Sequence, residues 1–339
     1  MHRYFLALLA LTLFVIAGCG SSGGPTKPNQ PPEIRVVIAV DTLAAPSLTN
    51  PNDAVWNGVA STGVSVSGAI TPFSGAITSL PDSVQVQGIR KSDTLYLRLR
   101  WKDNSHSVWP NYYYVVDTLL HCHSQDTANH CVDFVVQDNG NAEDRLLVLF
   151  NGLAGGAWDV IDWRALTTGA GLLAEEGAYK KDSATSRDTI VYDSEPSPLT
   201  VASSNQQVDF PPLFMHKDSS LFHGSILLTT EMVTFDIFAK GWAINQRLPG
   251  YYIDTSLASK DASVRGSRWD TRAADVWDTT TQTYTLVLGR PMTTGYTDDL
   301  NLTTVDSIQT KIGVFDNQID LNLGGTSRGY TKTFWLVLK

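Results

Sequence analysis

Basic residues are the first shortage in this chain: 25 Lys and Arg stand against 34 Asp and Glu, for a formal net charge of −9. With no basic patch to neutralise phosphates, nucleic acid is excluded as a partner. The acidity is spread along the chain and serves solubility. Long apolar runs are missing too. Beyond the first 16 residues, none approaches the ~20 residues that a membrane span requires. No long segment repeats its apolar residues with a helical period, no internal repeat is visible, and no clean linker divides the chain, so one large domain is expected rather than two. What is present describes a globular protein with material for a core, at 42% hydrophobic and 17% charged residues.

The N-terminus departs from this pattern. "MHRYFLALLALTLFVIAGCG" opens on His2 and Arg3, runs apolar from Tyr4 to Ile16, and ends in Ala17-Gly18-Cys19. A run this short with small residues behind it is an export signal. Its "VIAGC" ending resembles the lipobox of bacterial lipoproteins, which implies cleavage before Cys19 and lipidation of that sulfur. "GSSGGPTKPNQPPE", residues 20–33, follows as a flexible tether with no apolar face to fold. The expected organisation is a signal peptide over 1–19, a tether over 20–33 and a single folded domain over 34–339. The lipid anchors that domain to a membrane of the cell envelope, on its periplasmic face or at the outer membrane. Gly20 after the cysteine is compatible with sorting onward to the latter.

With Cys19 set aside, only Cys122 and Cys131 remain. In an oxidising compartment they read as a disulfide. "HCHSQDTANHC", 121–131, also places His121, His123 and His130 beside the two thiols, a donor set suited to zinc or another borderline metal. The spacing matches neither a C-x2-C ribbon nor the C-x-x-C-H of covalent haem attachment. Disulfide, metal site and free thiols all stay open here.

Strand signals dominate the rest. "VQVQGIR" (84–90) and "LYLRLRW" (95–101) flank "KSDT" as a hairpin, with Leu95, Leu97, Leu99 and Trp101 on one face. "VSVSGAI" (64–70) alternates in the same way. "RLLVLF" (145–150) is a continuous apolar run, as in a central strand. "TYTLVLGR" (283–290), "KIGVFDN" (311–317) and "TFWLVL" (333–338) complete the β-rich C-terminal half. "DWRALTTGAGLLAEEGAY" is expected to hold a short helix, and 180–212 a long polar loop. The pattern predicts an all-β, immunoglobulin-like antiparallel sandwich with long inserted loops and a few short helices.

Catalytic signals are weak. "GTSRG" (325–329) fits the hydrolase pattern G-x-S-x-G, but a strand follows where a nucleophile elbow needs a helix. "QDNGNAED" (137–144) offers Asp138, Asn139, Asn141 and Asp144 as calcium donors, and "TGYTDDL" (294–300) offers Asp298 and Asp299, without EF-hand spacing. Both are expected to be solvated turns. Nine tryptophans are expected mainly in the core, Trp101 among them; on the surface they would suit sugar rings. No acid/base or nucleophile constellation stands out, so the protein is not expected to be an enzyme in its own right.

Separated segments then align in order: "DAVWNGVA" (53–60), "LYLRLRWKDNS" (95–105), "EDRLLVLFNG" (143–152), "WDVIDWRA" (158–165), "LPGYYID" (248–254), "ADVWDTTTQTYTLVLGRPMTTGYTDDLNL" (274–302), "GVFDNQ" (313–318) and "KTFWLVL". Over roughly residues 50–339 this set resembles the haem-binding domain of the ethylbenzene dehydrogenase gamma-subunit family. The resemblance implies a DOMON-like sandwich holding one haem b that relays electrons to redox partner proteins. It also implies a methionine and a lysine as iron ligands. Lys332 matches the lysine, and Trp158 and Trp163 would line or brace the pocket. Where the methionine belongs stand Gly155, Gly156 and Ala157, none of which ligates iron. His121, His123 or His130 could replace it, His123 being the partner singled out, as could Met215 or His216. The expected function is an exported, lipid-anchored haem-binding protein for electron transfer or haem-linked sensing. The alternative is a non-haem carbohydrate-binding module on the same scaffold.

Overall fold

The computed structural model describes residues 33–41, 43–67, 81–108, 113–115, 135–137, 143–181, 188–192, 203–204, 214–218, 227–228, 230–234, 245–253, 267–318 and 327–338. Residues 34–339 form one compact unit. Among the described residues there are strands and short 3-10 turns but no α-helix.

The principal strands are β1 (Arg35–Val37), β2 (Thr62–Ser67), β3 (Ser83–Lys91), β4 (Thr94–Lys102), β5 (Glu143–Asn151), β6 (Trp158–Arg164) and β7 (Glu175–Lys181). They continue with β8 (Asp188–Tyr192), β9 (Arg272–Asp278), β10 (Thr283–Pro291), β11 (Ser307–Gln318), β12 (Ser327–Thr331) and β13 (Phe334–Val337). Hydrogen bonding runs in the order β8-β7-β6-β5-β11-β12-β2-β3-β4-β10-β9, with β13 between β11 and β1. Neighbours on this path are antiparallel; β1 joins β13 in parallel. The sheet does not close on itself. Its two halves face each other across one core, the all-β sandwich that strand periodicity predicts.

That core takes alternate residues from both halves: Val84, Val86, Leu97, Leu99, Leu286 and Leu288 from one, Leu146, Val148, Ile161, Trp163, Ile312 and Val314 from the other. The β3–β4 hairpin turns at Ser92, whose φ of 51° is left-handed, and Leu95, Leu97, Leu99 and Trp101 all point inward. Trp101 stacks on Tyr284, ring centroids 5.0 Å apart. β5 is buried on both faces. Its other face joins a second apolar cluster of Leu147, Leu149, Val160 and Phe315, with Trp158 packed against it. A strand covered on both sides needs no polar alternation, which is why "LLVLF" runs unbroken.

Two expectations are corrected. "DWRALTTGAGLLAEEGAY" holds no α-helix: β6 ends at Arg164, a single 3-10 turn covers Gly169–Gly171, and β7 begins at Glu175. Glycines at both ends of that turn disfavour helix continuation. The polar stretch 180–212 is not loop throughout. β8 lies inside it and pairs with β7 from Gly177↔Tyr192 to Lys181↔Asp188.

Candidate functional site

Strand β6 carries the sequence "WDVIDWR", and its alternation places two carboxylates on opposite faces. Asp162 lies on the outer face with Val160 and Arg164. Asp159 shares the sandwich side with Ile161 and Trp163. Both carboxylates are fully buried.

Asp162 is saturated with donors. Arg145 clamps it in two bonds, Nε to Oδ1 at 2.7 Å and Nη2 to Oδ2 at 2.6 Å. Arg164 Nη2 adds a third at 2.9 Å, and the Tyr192 hydroxyl donates to Oδ2 as well. Glu175 extends the network, 3.2 Å from Arg164 and 2.7 Å from Arg268. Burial opposes ionisation of Asp162, yet the guanidinium groups of Arg145 and Arg164 outweigh it and hold the carboxyl far below its usual range.

Asp159 has fewer partners. Its Oδ2 accepts from Arg290 Nη2 at 2.6 Å and from the Leu300 backbone N–H at 2.9 Å. Arg290 is itself only 1% exposed and is shared, with Nε 3.4 Å from Glu176 Oε2 and Nη2 3.9 Å from Asp299 Oδ1. Thr271 donates to Glu176 Oε1, and Thr294 to Asp299 Oδ2 at 2.6 Å. One guanidinium thus serves three carboxylates. Burial is the main cause that pushes Asp159 up to about 6 and Glu176 up to about 8.

A third cluster joins Asp103, Asp144 and Asp316. Ser107 N–H and the Tyr284 hydroxyl each donate to Asp144 Oδ2 at 2.7 Å. Ser105 Oγ reaches Asp103 at 3.3 Å and Asp316 at 3.1 Å. Burial, reinforced by Asp103, lifts Asp144 to about 8, while Asp103 itself rises to about 6. The turn reading fails at two aspartates: Asp144 and Asp299 are both buried rather than solvated. Asp138, Asn139 and Asn141 lie outside the described residues.

Of the residues expected at a haem, Trp163 is fully buried in the core, with Nε1 so close to Gly169 that a Cβ there would sit 2.8 Å away. Trp158 is half-buried, with Lys311 Nζ 5.2 Å from its ring centroid. Lys332 is exposed in the short link between β12 and β13, its backbone N–H bonded to Ser65 O at 3.3 Å. The structure does not bring Lys332 together with the two tryptophans. Gly155 and Gly156 form an exposed turn at φ of 73° and 78°, with open space where side chains would be. Met215 is buried on a short strand paired with Met232–Thr234, and His216 Nδ1 accepts from Asp218 N–H at 3.0 Å. His121, Cys122, His123, His130 and Cys131 lie outside the described residues. The implied iron ligands therefore do not fit: a lysine amine must be desolvated to bind iron, and Lys332 is exposed, while the methionine position offers no donor.

A groove opens beside that turn. Asn151 and Gly152 at the end of β5, Leu300–Leu302, Val305, Ser307, Ile308 and Gln309 on β11, and Trp335 line about 230 Å³. Asn151 Nδ2 donates to Gln309 Oε1 at 2.9 Å. Among the described residues, the lining holds no Met, His, Lys or Cys.

Fold and site together define an open β-sandwich with buried ion clusters and a small, largely apolar groove edged by amides and Trp335. Residues 53–323 match the family model described as Ethylbenzene dehydrogenase, and the chain belongs to that family. No curated protein matches the sequence. Among solved structures, the chain is similar to a "putative carbohydrate-binding protein" from Bacteroides uniformis at 6% identity and a TM-score of 0.35, covering 91% of this chain and 100% of that one. That likeness is too distant to argue from.

Proposed function

We propose that the chain is an exported, non-catalytic binding protein of the cell envelope, anchored through lipid on Cys19, with the family sandwich as its folded part. The observation that carries this reading is where the chemistry sits. Each carboxylate of the three clusters has at least one oxygen engaged by an arginine, a hydroxyl or a backbone N–H, and none lines the groove. A general acid or base has to reach its substrate.

The groove suits a small neutral ligand rich in hydroxyls, such as one sugar ring. Trp335 supplies an aromatic face, and Asn151, Asn301, Ser307 and Gln309 supply amides and a hydroxyl. Its volume of about 230 Å³ falls below the ~300–1,000 Å³ of sites that enclose larger ligands. A glycan array followed by calorimetry on the full chain tests this. Saccharide binding that disappears in Trp335→Ala is the expected result; binding that survives the substitution overturns the reading.

Family membership favours a second reading, haem b passing electrons between redox partner proteins. Its donors would have to come from His121, His123 or His130. An absorption spectrum of the full chain with added haemin decides between the two. A Soret band that is lost in His123→Ala establishes haem, and a chain that gives no band removes it.

A further inference from the structure

We infer that Asp159, Glu176 and Asp299 form a binding site for a hard divalent cation, with Ca²⁺ the best match. One carboxylate oxygen from each lies within 4.8 Å of those of the other two. That is the span of three ligands set ~2.3–2.6 Å from a common centre, the distance calcium takes from oxygen. The three come from β6, β7 and the segment after β10, and all are buried.

The second observation is which oxygens are left over. On Asp159 and on Asp299, Oδ2 accepts the hydrogen bonds already described. The other oxygen, Oδ1, is buried in each case and accepts no hydrogen bond from the described residues. Glu176 Oε2 likewise accepts none; it and Asp299 Oδ1 have only their ion-pair contacts to Arg290, at 3.4 and 3.9 Å. Buried carboxylate oxygens without donors are costly, and each carboxylate of this one cluster carries one. Asp162 shows the contrast, since arginine and tyrosine donors fill both of its oxygens.

Charge points the same way. Three carboxylates against Arg290 leave two negative charges once all three are ionised, and a divalent cation both favours that ionisation and cancels the two charges. Oxygen ligands only, with no nitrogen or sulfur, select calcium over zinc or copper. Three carboxylates, each able to bind through one oxygen or two, with water completing the shell, meet calcium's demand for six to eight oxygens.

The inference does not rest on what the groove binds, and its test needs no other ligand. The full chain, stripped with a chelator, is titrated with CaCl₂ by calorimetry and followed by thermal unfolding, with MgCl₂ alongside. One calcium per chain is expected, with a Tm that rises on addition and falls back with chelator. Asp299→Asn sits at the cluster's edge and removes one of three like charges, so it should fold, and its affinity should drop at least ~10-fold with one charged ligand lost. Asp159→Asn provides a second, independent variant. No saturable binding at ~1 mM, the weak end for extracellular calcium modules, overturns the proposal. Calcium binding that both variants retain also overturns it, because the ion then sits elsewhere.

Discussion

Asp159 and Asp162 lie three residues apart on one strand, are equally buried, and differ in almost everything else. Asp162 faces two guanidinium groups and a tyrosine hydroxyl, and its charge is held firmly. Asp159 shares one guanidinium with two other carboxylates, and its proton is held more tightly than in water. Burial is the same penalty for both. The number of cations per carboxylate decides the outcome. One face of β6 therefore carries a closed ion network, and the other an electrically incomplete one.

Removing the charge at each position should break this contrast most sharply. Asp162→Asn leaves Arg145 and Arg164 without their main partner in a buried site, at a cost of about 3–5 kcal/mol. Asp159→Asn, measured by urea unfolding with chelator present, should cost less than half as much, since Arg290 keeps Glu176 and Asp299. Equal losses would show that position in the strand, and not charge balance, governs the pair.

The pH profile sharpens the same distinction. Asp144 and Asp103 have folded pKa values raised to about 8 and about 6. The stability they contribute is present below the unfolded aspartate pKa and is lost as pH rises through those values. Asp162 works in the opposite sense: its contribution is present above the unfolded pKa and is lost as pH falls toward the folded one. In chelator, Tm should therefore peak in mildly acidic solution and fall by several degrees toward about pH 8.5. Asp144→Asn should raise Tm at the alkaline end and flatten that limb, because an amide still accepts from Ser107 and Tyr284 without a charge to desolvate. A profile unchanged by the substitution would remove Asp144 from the explanation.

Smaller effects are expected where nothing is buried. Gly155→Ala places a Cβ in open space, so only its left-handed backbone resists, at about 1–2 kcal/mol. Lys332→Ala should change stability by less than about 0.5 kcal/mol. A larger loss in urea would mean that the exposed amine has a partner that matters.

The strands were legible because alternation is local. "LYLRLRW" shows its inward leucines on inspection, and all of them, with Trp101, are buried. The segment after Arg164 was harder, because β7 is defined by pairing with β6 and β8, and no short window contains that information. The site was legible in fragments. "WDVIDWR" stood out by its residue types, and Asp299 by its oxygen-rich neighbours. The expectation of a solvated turn failed because Arg290, nine residues earlier, folds back onto Asp299 and onto Asp159, 131 positions away in the chain. Glu176 carries no local signal at all. The burial of an acidic residue depends on which arginine reaches it, and spacing does not encode that.

Leu300 joins two things that share no side chain. Its backbone N–H ends on Asp159, and its side chain belongs to the groove wall. Where both places bind, an ion and a groove ligand act on this one residue, and any coupling between them is reciprocal. By whatever factor an ion among the carboxylates alters affinity in the groove, a ligand in the groove alters affinity for the ion by the same factor.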